Sequence, residues 1–421
     1  MNILILGSGG REHTFAWKIR QSPACDQLFV APGNAGTAEL ATNLDIDIMD
    51  FNKVEKVIKK HKINMVIVGP EAPLVAGITD FLKEEVPGLQ VIGPSKKGAQ
   101  LEGSKAFAKE FMVENDIPTA AYVEITESNL QEGIDHINSS EGPYVLKADG
   151  LAGGKGVLII NDKEEAIKEL EEMLEGKFGD ASTRVVIEQF LSGLEFSVFV
   201  LTDGQYYILL PEAKDYKRIG AGDTGLNTGG MGAISPVSFV DSDMMHKVRE
   251  RIILPTLSGL QKREIDYVGF IFFGLIEVNG EPFVIEYNCR MGDPETEVVF
   301  PRIKNDIVDM FEALHENDLY EIRLDTDERS AATIMMVSGG YPESYEKGKP
   351  ISIDPDINNS IIFHSGTIND GSTVRTNGGR VIAITSLATT KDEAVARSLT
   401  NAKKVKFENS YYRSDIGFDL D

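Results

Sequence analysis

The sequence is poor in cysteine and in positive charge. Its 421 residues include two cysteines, Cys25 and Cys289, far apart in the chain. This excludes a disulfide framework and is typical of a reducing cytosol. Lys and Arg total 42 against 66 Asp and Glu, which gives a formal net charge of −24. We therefore expect no broad binding of nucleic acid or of an anionic membrane, and any bound anion must meet a local concentration of Lys, Arg and glycine N–H groups.

Long apolar runs and metal-binding patterns are also missing. No stretch approaches the length needed to span a bilayer, and the start, MNILILGSGG, lacks the features of a signal peptide. We expect a cytoplasmic protein. The six histidines show no metal-ligand spacing, and neither a G-x-S-x-G nor an H-E-x-x-H motif occurs, which argues against serine-hydrolase and zinc-peptidase chemistry.

The order of apolar runs predicts three units. Residues 1–103 alternate short strands with helices, and every strand ends in Gly or Pro, which predicts a doubly wound parallel sheet whose loops open onto one rim. Residues 104–325 begin as a small α+β unit, with a mobile lid at about 119–193, and then become rich in strands. Residues 326–421 have the pattern of a small α+β domain that ends in a helix over 391–407.

The stretch KADGLAGGKGV, residues 147–157, looks like a phosphate-binding loop but is not a Walker A motif. Asp149 stands at the first required glycine, Gly156 replaces the Ser or Thr, and a strand pattern follows instead of a helix. The spacing predicts two strands joined by a flap that closes over phosphates with its N–H groups. An ordinary glycine hairpin is the alternative, but the flanking Lys147 and Lys155 favour a nucleotide.

The loop GSGGREH follows the first strand. A dinucleotide fingerprint is incomplete there because Glu12 occupies the third glycine position, which favours a tight strand-to-helix turn over NAD binding. A phosphate at the N-terminus of the next helix is a further interpretation, since N–H groups point outward there and Arg11 is adjacent.

The segment PFVIEYNCRMGDPETE places polar groups at the end of an apolar strand. Glu286 and Asn288 are two residues apart and so share a face. Their oxygens suit a Mg²⁺ ion that bridges phosphates, and Arg290 on the same face could bind a carboxylate or phosphate. Cys289 points the other way and is interpreted as a small filler. A solvated strand end is the alternative.

Together these segments resemble the phosphoribosylamine–glycine ligase family of the ATP-grasp superfamily along essentially the whole chain. The matching segments are GSGGREH, APGNAGT, VGPEAPL, GSKAFAK, KADGLAGGKGV, EQFLSGLEFS, NTGGMGA, EYNCRMGDPETE, YPESY and TNGGRV. The resemblance implies an α/β protein: an ATP-grasp fold preceded by a doubly wound parallel-sheet domain and followed by a small α+β domain. It also implies ligation of glycine to 5-phospho-β-D-ribosylamine with ATP and Mg²⁺ or Mn²⁺, through glycyl phosphate, in purine synthesis. We expect a monomer or weak dimer.

The resemblance also implies roles for individual residues. Those implied for ATP are Lys105, Lys147, Gly150, Gly153, Gly154, Lys155, Gly156, Glu188, Phe190 and Glu195. Those implied for the metal are Glu286 and Asn288. Catalytic roles are implied for Arg290, Lys147, Asp293 and Glu297, with Glu295 organising the substrate side. Those expected to bind ribosylamine and glycine are Gly9, Gly10, Arg11, Asn34, Glu71, Asp215 and Arg290.

Three positions depart from the family pattern. The strand register read from VNGEPFVIEYN places Gly274 beside Glu286, where many ATP-grasp enzymes carry a further metal carboxylate. We therefore expect fewer protein ligands and more reliance on phosphate and water. Tyr216 replaces a frequent His, and Met291 a frequent aromatic residue. The rival interpretations are another carboxylate–amine ligase, a non-catalytic ATP-binding regulator and a dehydrogenase; retained Lys147 and Glu286 argue against the regulator.

Overall fold

The structure of the protein is a computed structural model that describes residues 1–153, 156–316 and 318–420. Gly154 and Lys155, both implied in ATP binding, lie outside the described residues. Within this part of the chain, none of the helices combines the length and apolar character needed to cross a membrane.

The first unit is the predicted doubly wound sheet. Its elements are β1 (Asn2–Gly7), α1 (Gly10–Ile19), β2 (Gln27–Pro32), α2 (Thr37–Leu40), β3 (Thr42–Asn43), α3 (Phe51–His61), β4 (Met65–Val68), α4 (Glu71–Ala76), α5 (Ile78–Glu85), β5 (Gln90–Ile92) and α6 (Gln100–Gly103). All five strands are parallel, in the order β3-β2-β1-β4-β5. The apolar run of β1 serves two cores, since Leu4 and Leu6 pack on one face and Ile3 and Ile5 on the other.

The second unit is a small antiparallel sheet covered by two helices. Its elements are α7 (Lys105–Glu114), β6 (Tyr122–Thr126), α8 (Leu130–Ser139), β7 (Tyr144–Ala148), β8 (Val157–Ile160), α9 (Lys163–Glu172) and β9 (Arg184–Gln189). The strand order is β6-β9-β7-β8. The core between this sheet and the helices α8 and α9 is a cluster of its own, and we use the term lid for this part of the chain, about residues 119–193.

The third region contains the sheet that lies opposite the lid, which we call the floor. Its elements are β10 (Leu194–Thr202), β11 (Tyr207–Leu209), β12 (Lys214–Asp215), β13 (Arg218–Gly220), β14 (Thr224–Asn227), β15 (Gly232–Ser235), α10 (Ser242–Val248), α11 (Leu254–Lys262), β16 (Gly269–Val278), β17 (Glu281–Asn288), α12 (Thr296–Val299) and α13 (Ile307–Glu316). The floor is the sheet β11-β10-β16-β17. Gly274 pairs with Glu286, as its predicted register requires.

The last region shares a sheet with the preceding one. Its elements are β18 (Ser330–Val337), β19 (Ser352–Ile353), β20 (Ser360–His364), β21 (Thr367–Asp370), β22 (Thr373–Thr376), β23 (Arg380–Ala388), α14 (Lys391–Ala402) and β24 (Val405–Lys406). The sheet order is β12-β15-β18-β23-β20, so it crosses the predicted domain boundary at 325. The predicted helix over 391–407 is wrong at its end, because residues 405–406 pair with β19 instead.

Candidate functional site

A cavity of about 1130 Å³ lies where the four regions meet. Its wall includes the loop after β1, the inner face of the lid, the end of the floor strand β17 and parts of the last region. Ser365, Arg380 and Asp419 belong to that last part. The cavity is large enough for a nucleotide together with small substrates.

The floor presents the two predicted metal ligands. Glu286 and Asn288 lie at the end of β17 and both line the cavity. A Cβ at Gly274 would lie 3.0 Å from the Glu286 Cγ, so a side chain at this position would require Glu286 to shift by a few tenths of an ångström. Among the described residues, no group of three or more His, Cys, Asp or Glu could hold a metal by itself. One carboxylate and one amide do fit a Mg²⁺ ion that takes its other ligands from phosphates and water.

Two lysines share one acid: Lys147 belongs to the lid and Lys109 to α7. Lys147 Nζ donates to Glu188 Oε2 at 2.9 Å, and Lys109 Nζ lies 3.1 Å from the same oxygen. Lys109 also donates to Thr119 Oγ1, and burial lowers its pKa to about 8. The sequence reasoning missed Lys109. Its position four residues after Lys105, on the same face of α7, is the signal that could have found it.

The glycine flap is tied at its base to α7. Asp149 Oδ1 accepts from the Ala106 backbone N–H at 2.8 Å, at the positive end of that helix. Lys105 Nζ donates to the Gly150 carbonyl at 3.4 Å. Gly153 and Gly156 line the cavity, whereas Gly150 is not part of its wall. The flap therefore has a fixed base under Lys105.

A second group of charges lies beside the predicted adenine and ribose positions. Phe190 and Glu195 line the cavity, and Glu195 Oε2 accepts from Lys217 Nζ at 3.0 Å. Asp215 Oδ1 is 3.9 Å from the same ammonium group, and burial raises the pKa of Asp215. Behind them, the Tyr216 hydroxyl donates to Asp419 at 2.7 Å, so the tyrosine at this departing position has a defined polar partner.

Arg290 is held by two acids. Its Nη2 lies 2.6 Å from Glu102 Oε1, and its Nε lies 3.4 Å from Glu71 Oε2; all three residues line the cavity. Glu102, which the sequence reasoning missed, also accepts from the backbone N–H and thiol of Cys289. Cys289 is buried and does not line the cavity, and burial raises the pKa of its thiol, which fits the interpretation of a small core residue.

The N-terminus of α1 already carries protein carboxylates. Gly9 N donates to Glu12 Oε2 at 2.5 Å, and Arg11 N donates to Asp293 Oδ2 at 3.2 Å. The Arg11 side chain is ion-paired with Glu12 at 2.6 Å. Gly9 and Arg11 line the cavity, but a phosphate at this helix end would meet two like charges. This arrangement argues against the phosphate site expected there.

Three further predicted residues, Gly10, Asn34 and Glu297, lie behind the cavity wall. Asn34 Nδ2 donates to the Ser8 carbonyl at 2.9 Å and the His364 carbonyl at 2.8 Å, which ties the first region to the last. Both Glu297 oxygens are buried without a hydrogen-bond donor from the described residues. A Cβ at Gly10 would lie 2.2 Å from one of them, so the helix packs directly on this carboxyl group.

Glu297 is part of a buried acid pair with Asp293. Burial and the neighbouring Asp293 charge raise the pKa of Glu297 well above its usual range. Asp293 is ion-paired with Arg380 at 3.0 Å; although burial opposes ionisation, Arg380 and Arg11 lower the pKa of Asp293. The raised pKa of Glu297 and the lowered pKa of Asp293 favour a protonated Glu297 beside an ionised Asp293. Burial likewise raises the pKa of the neighbouring Glu295 to about 8.

Three family models match consecutive parts of the chain. They describe phosphoribosylglycinamide synthetase: the N domain over residues 1–102, the ATP-grasp (A) domain over 103–296 and the C domain over 331–419. A phosphoribosylamine–glycine ligase of Chlorobaculum tepidum is 44% identical over 424 residues, which cover 99% of each chain. One of Vibrio parahaemolyticus is 43% identical over 99% of this chain and 98% of its own.

Solved structures give the same comparison in three dimensions. The crystal structure of phosphoribosylamine–glycine ligase from Thermotoga maritima matches with a TM-score of 0.86 and 36% identity, covering 99% of this chain and 100% of that one. The biotin carboxylase domain of a 2-oxoglutarate carboxylase from Hydrogenobacter thermophilus matches with a TM-score of 0.72 at 16% identity, covering 97% and 91%, which shows the shared fold alone.

Proposed function

Because the chain belongs to the phosphoribosylglycinamide synthetase family, it is a ligase of purine biosynthesis, and we propose how its cavity joins glycine to 5-phospho-β-D-ribosylamine. The products are glycinamide ribonucleotide, ADP and phosphate. The observation that carries the proposal is the shared cavity, whose wall holds the glycine flap, Glu286, Asn288 and the N-terminal loops together. A nucleotide and two small substrates can therefore react in one enclosed space.

ATP lies between the lid and the floor in this proposal. Lys105 and Lys147 contact its phosphates, and the flap closes over them with backbone N–H groups. Lys147 can turn from Glu188 to a phosphate oxygen, because Lys109 remains to neutralise that acid. Phe190 packs on the adenine and Glu195 binds the ribose hydroxyls, which leaves the γ-phosphate near the end of β17.

Glu286 and Asn288 would hold Mg²⁺ or Mn²⁺ with the phosphates. A bound divalent ion supplies charge neutralisation of the phosphate oxygens during transfer. The donor set of one carboxylate and one amide supports this assignment, since both are hard oxygen ligands on one face of β17.

The chemistry has two steps. A glycine carboxylate oxygen attacks the γ-phosphorus, the bond from phosphorus to the bridging oxygen of ADP breaks, and glycyl phosphate forms. The ribosylamine nitrogen then attacks the acyl carbon, the carbon–oxygen bond to phosphate breaks, and the departing phosphate takes the proton that the nitrogen loses. Arg290 faces the carboxylate and acyl phosphate, and Asp215 receives the glycine ammonium group. Positioning and charge stabilisation supply the catalysis, so no protein nucleophile is needed.

Oxygen labelling tests this mechanism directly. Glycine carrying ¹⁸O in both carboxylate oxygens should transfer one ¹⁸O to the released phosphate and keep the other in the amide product. Reactions without glycine or without ribosylamine serve as controls for background ATP hydrolysis. Released phosphate without ¹⁸O would refute the acyl phosphate intermediate. Absence of product from ATP, glycine and ribosylamine would refute the substrate assignment.

We also propose that the protein acts in the cytoplasm as a monomer or weak dimer. Both cysteines are buried and unpaired, which suits a reducing compartment and supports this assignment. Light scattering at two protein concentrations tests the association state, and a stable tetramer would contradict it.

A further inference from the structure

Most cations that line the cavity are already paired with acids of the protein. The paired ones are Arg11, Lys109, Lys147, Lys214, Lys217, Arg290 and Arg380. Among the described residues, Lys105 and Arg218 are the two that line the cavity without an ion-pair partner. Lys105 lies under the glycine flap and is assigned to ATP. Apart from Lys105, Arg218 is therefore the described cation of the cavity wall that can bind an anionic group without first leaving an acid of the protein.

Arg218 is presented by a hairpin that the end of the chain holds in place. It begins β13, which pairs with β14 so that Asn227 lies opposite it. Its Nη1 donates to the Gly225 carbonyl at 2.9 Å across the hairpin, while its other guanidinium donors make no hydrogen bond to the described residues. The guanidinium thus has a fixed direction and free donors.

The anchor of this hairpin is a fully buried arginine. Arg413 is 0% exposed; its Nη1 donates to the Arg218 carbonyl at 3.1 Å and to Asp223 Oδ1 at 2.6 Å. Asp415 accepts from Arg413 and from the Gly222 N–H at the hairpin tip, at 2.7 Å. A hairpin that served only to connect two strands would not need a buried arginine to hold it in place. This anchoring fixes both the strand of Arg218 and the tip, as a binding element requires.

The cavity wall continues from this hairpin toward the predicted ribosylamine position. Asn227, Thr228 and Gly229 follow the hairpin and line the cavity, and the Gly229 carbonyl accepts from Arg380 at 2.5 Å. Arg380 in turn pairs with Asp293, whose carboxylate caps α1. Since carboxylates fill the end of that helix, a substrate phosphate must find its cation elsewhere on this wall.

We propose that Arg218 binds the 5-phosphate of the ribosylamine, with Arg413 as the positioning residue that presents it; this assignment rests on the proposed function. A guanidinium matches phosphate through paired N–H donors and is charged at every working pH. The site distinguishes a phosphorylated ribosylamine from its unphosphorylated counterpart.

Calorimetry with two products separates phosphate recognition from the rest of binding. Glycinamide ribonucleotide and its dephosphorylated riboside are titrated into the enzyme in the presence of ADP. Arg218→Gln should raise the Kd of the nucleotide about 10- to 100-fold, the usual loss for charge-assisted hydrogen bonds, and leave the riboside Kd unchanged. Arg413→Lys should give a smaller loss in the same direction. The control Arg329→Gln, at an exposed ion pair outside the cavity, should bind both products as the wild type does.

Equal weakening of nucleotide and riboside in Arg218→Gln, or loss of ADP binding, would overturn the assignment of Arg218 to the phosphate. Wild-type affinity of Arg218→Gln for the nucleotide would do the same. Failure of the proposed function would give a different result: the wild-type enzyme itself would then bind no glycinamide ribonucleotide. Thermal unfolding of each variant confirms that the hairpin substitutions leave the fold intact.

Discussion

Replacing Glu297 by Gln tests whether the buried acid pair holds a proton. The carboxyl of Glu297 faces ionised Asp293, and no described donor reaches its oxygens. Because its pKa is raised in the folded protein, the native state keeps a proton that the unfolded chain releases above a pKa of about 4.3. Wild-type stability should therefore decrease as the pH rises from that value toward the folded pKa, by about 1.4 kcal/mol per pH unit.

Glu297→Gln keeps a donor toward Asp293 and cannot titrate. Its advantage over the wild type in free energy of unfolding should grow by the same ~1.4 kcal/mol for each pH unit within that window. Glu297→Leu is the matched control: it shows the same pH dependence but lies about 1–3 kcal/mol lower, since Asp293 loses its donor.

Urea unfolding at pH 5.5, 6.5 and 7.5, followed by fluorescence and circular dichroism, measures these differences. Product formation is measured in parallel, because Glu297 lies behind the wall and Glu297→Gln should retain most of the wild-type kcat. A stability difference between wild type and Glu297→Gln that stays constant over this pH range would refute the protonated pair. A drop in kcat of about 100-fold or more in the stable variant would instead give Glu297 the catalytic role that the sequence predicted.

Three other substitutions probe the remaining parts of the site. Glu286→Ala should lower kcat by about 100-fold or more and change the Kd of ATP much less, whereas Glu281→Ala, on the same strand but outside the cavity, should keep wild-type kcat; normal turnover of Glu286→Ala would refute its metal role. Lys109→Met should raise the KM for ATP about tenfold with the KM for glycine unchanged, since Lys147 must then neutralise Glu188 alone; an unchanged KM for ATP contradicts this. Gly10→Ala places a Cβ against Glu297 and should lower the free energy of unfolding by about 1–3 kcal/mol in urea titration; unchanged stability would show that the junction is loosely packed.

The sequence predicted features that depend on residues close together in the chain. The parallel sheet, the flap between β7 and β8, and the shared face of Glu286 and Asn288 follow from apolar runs and from strand periodicity. The register of β16 and β17 also followed, because a short turn joins the two strands, and it placed Gly274 opposite Glu286. Each of these rests on local spacing, which a single sequence contains.

The features that could not be predicted arise from contacts between distant segments. Asp293 reaches the N-terminus of α1 across most of the chain, and its carboxylate fills the expected phosphate position. Arg380 and Arg413 reach the site from the last region; Arg380 lies in the matching segment TNGGRV, but nothing in the local spacing of either residue indicates its contact with the site. The end of α14 is likewise set by a partner strand and not by local sequence. Such contacts depend on how the regions pack against each other. The residues that make them are of types common at such positions, so their identity alone does not indicate the contact.

The sheet shared by β12, β15 and β18 has a consequence for how this protein can be recombined. All four residues of β15 pair with β18, and all four are buried. An expression fragment that stops near residue 325 would leave β15 as an open apolar edge, ready to pair with another chain and aggregate. A chimaera between two relatives should therefore exchange residues 214–235 together with 330–388, although they are distant in the gene.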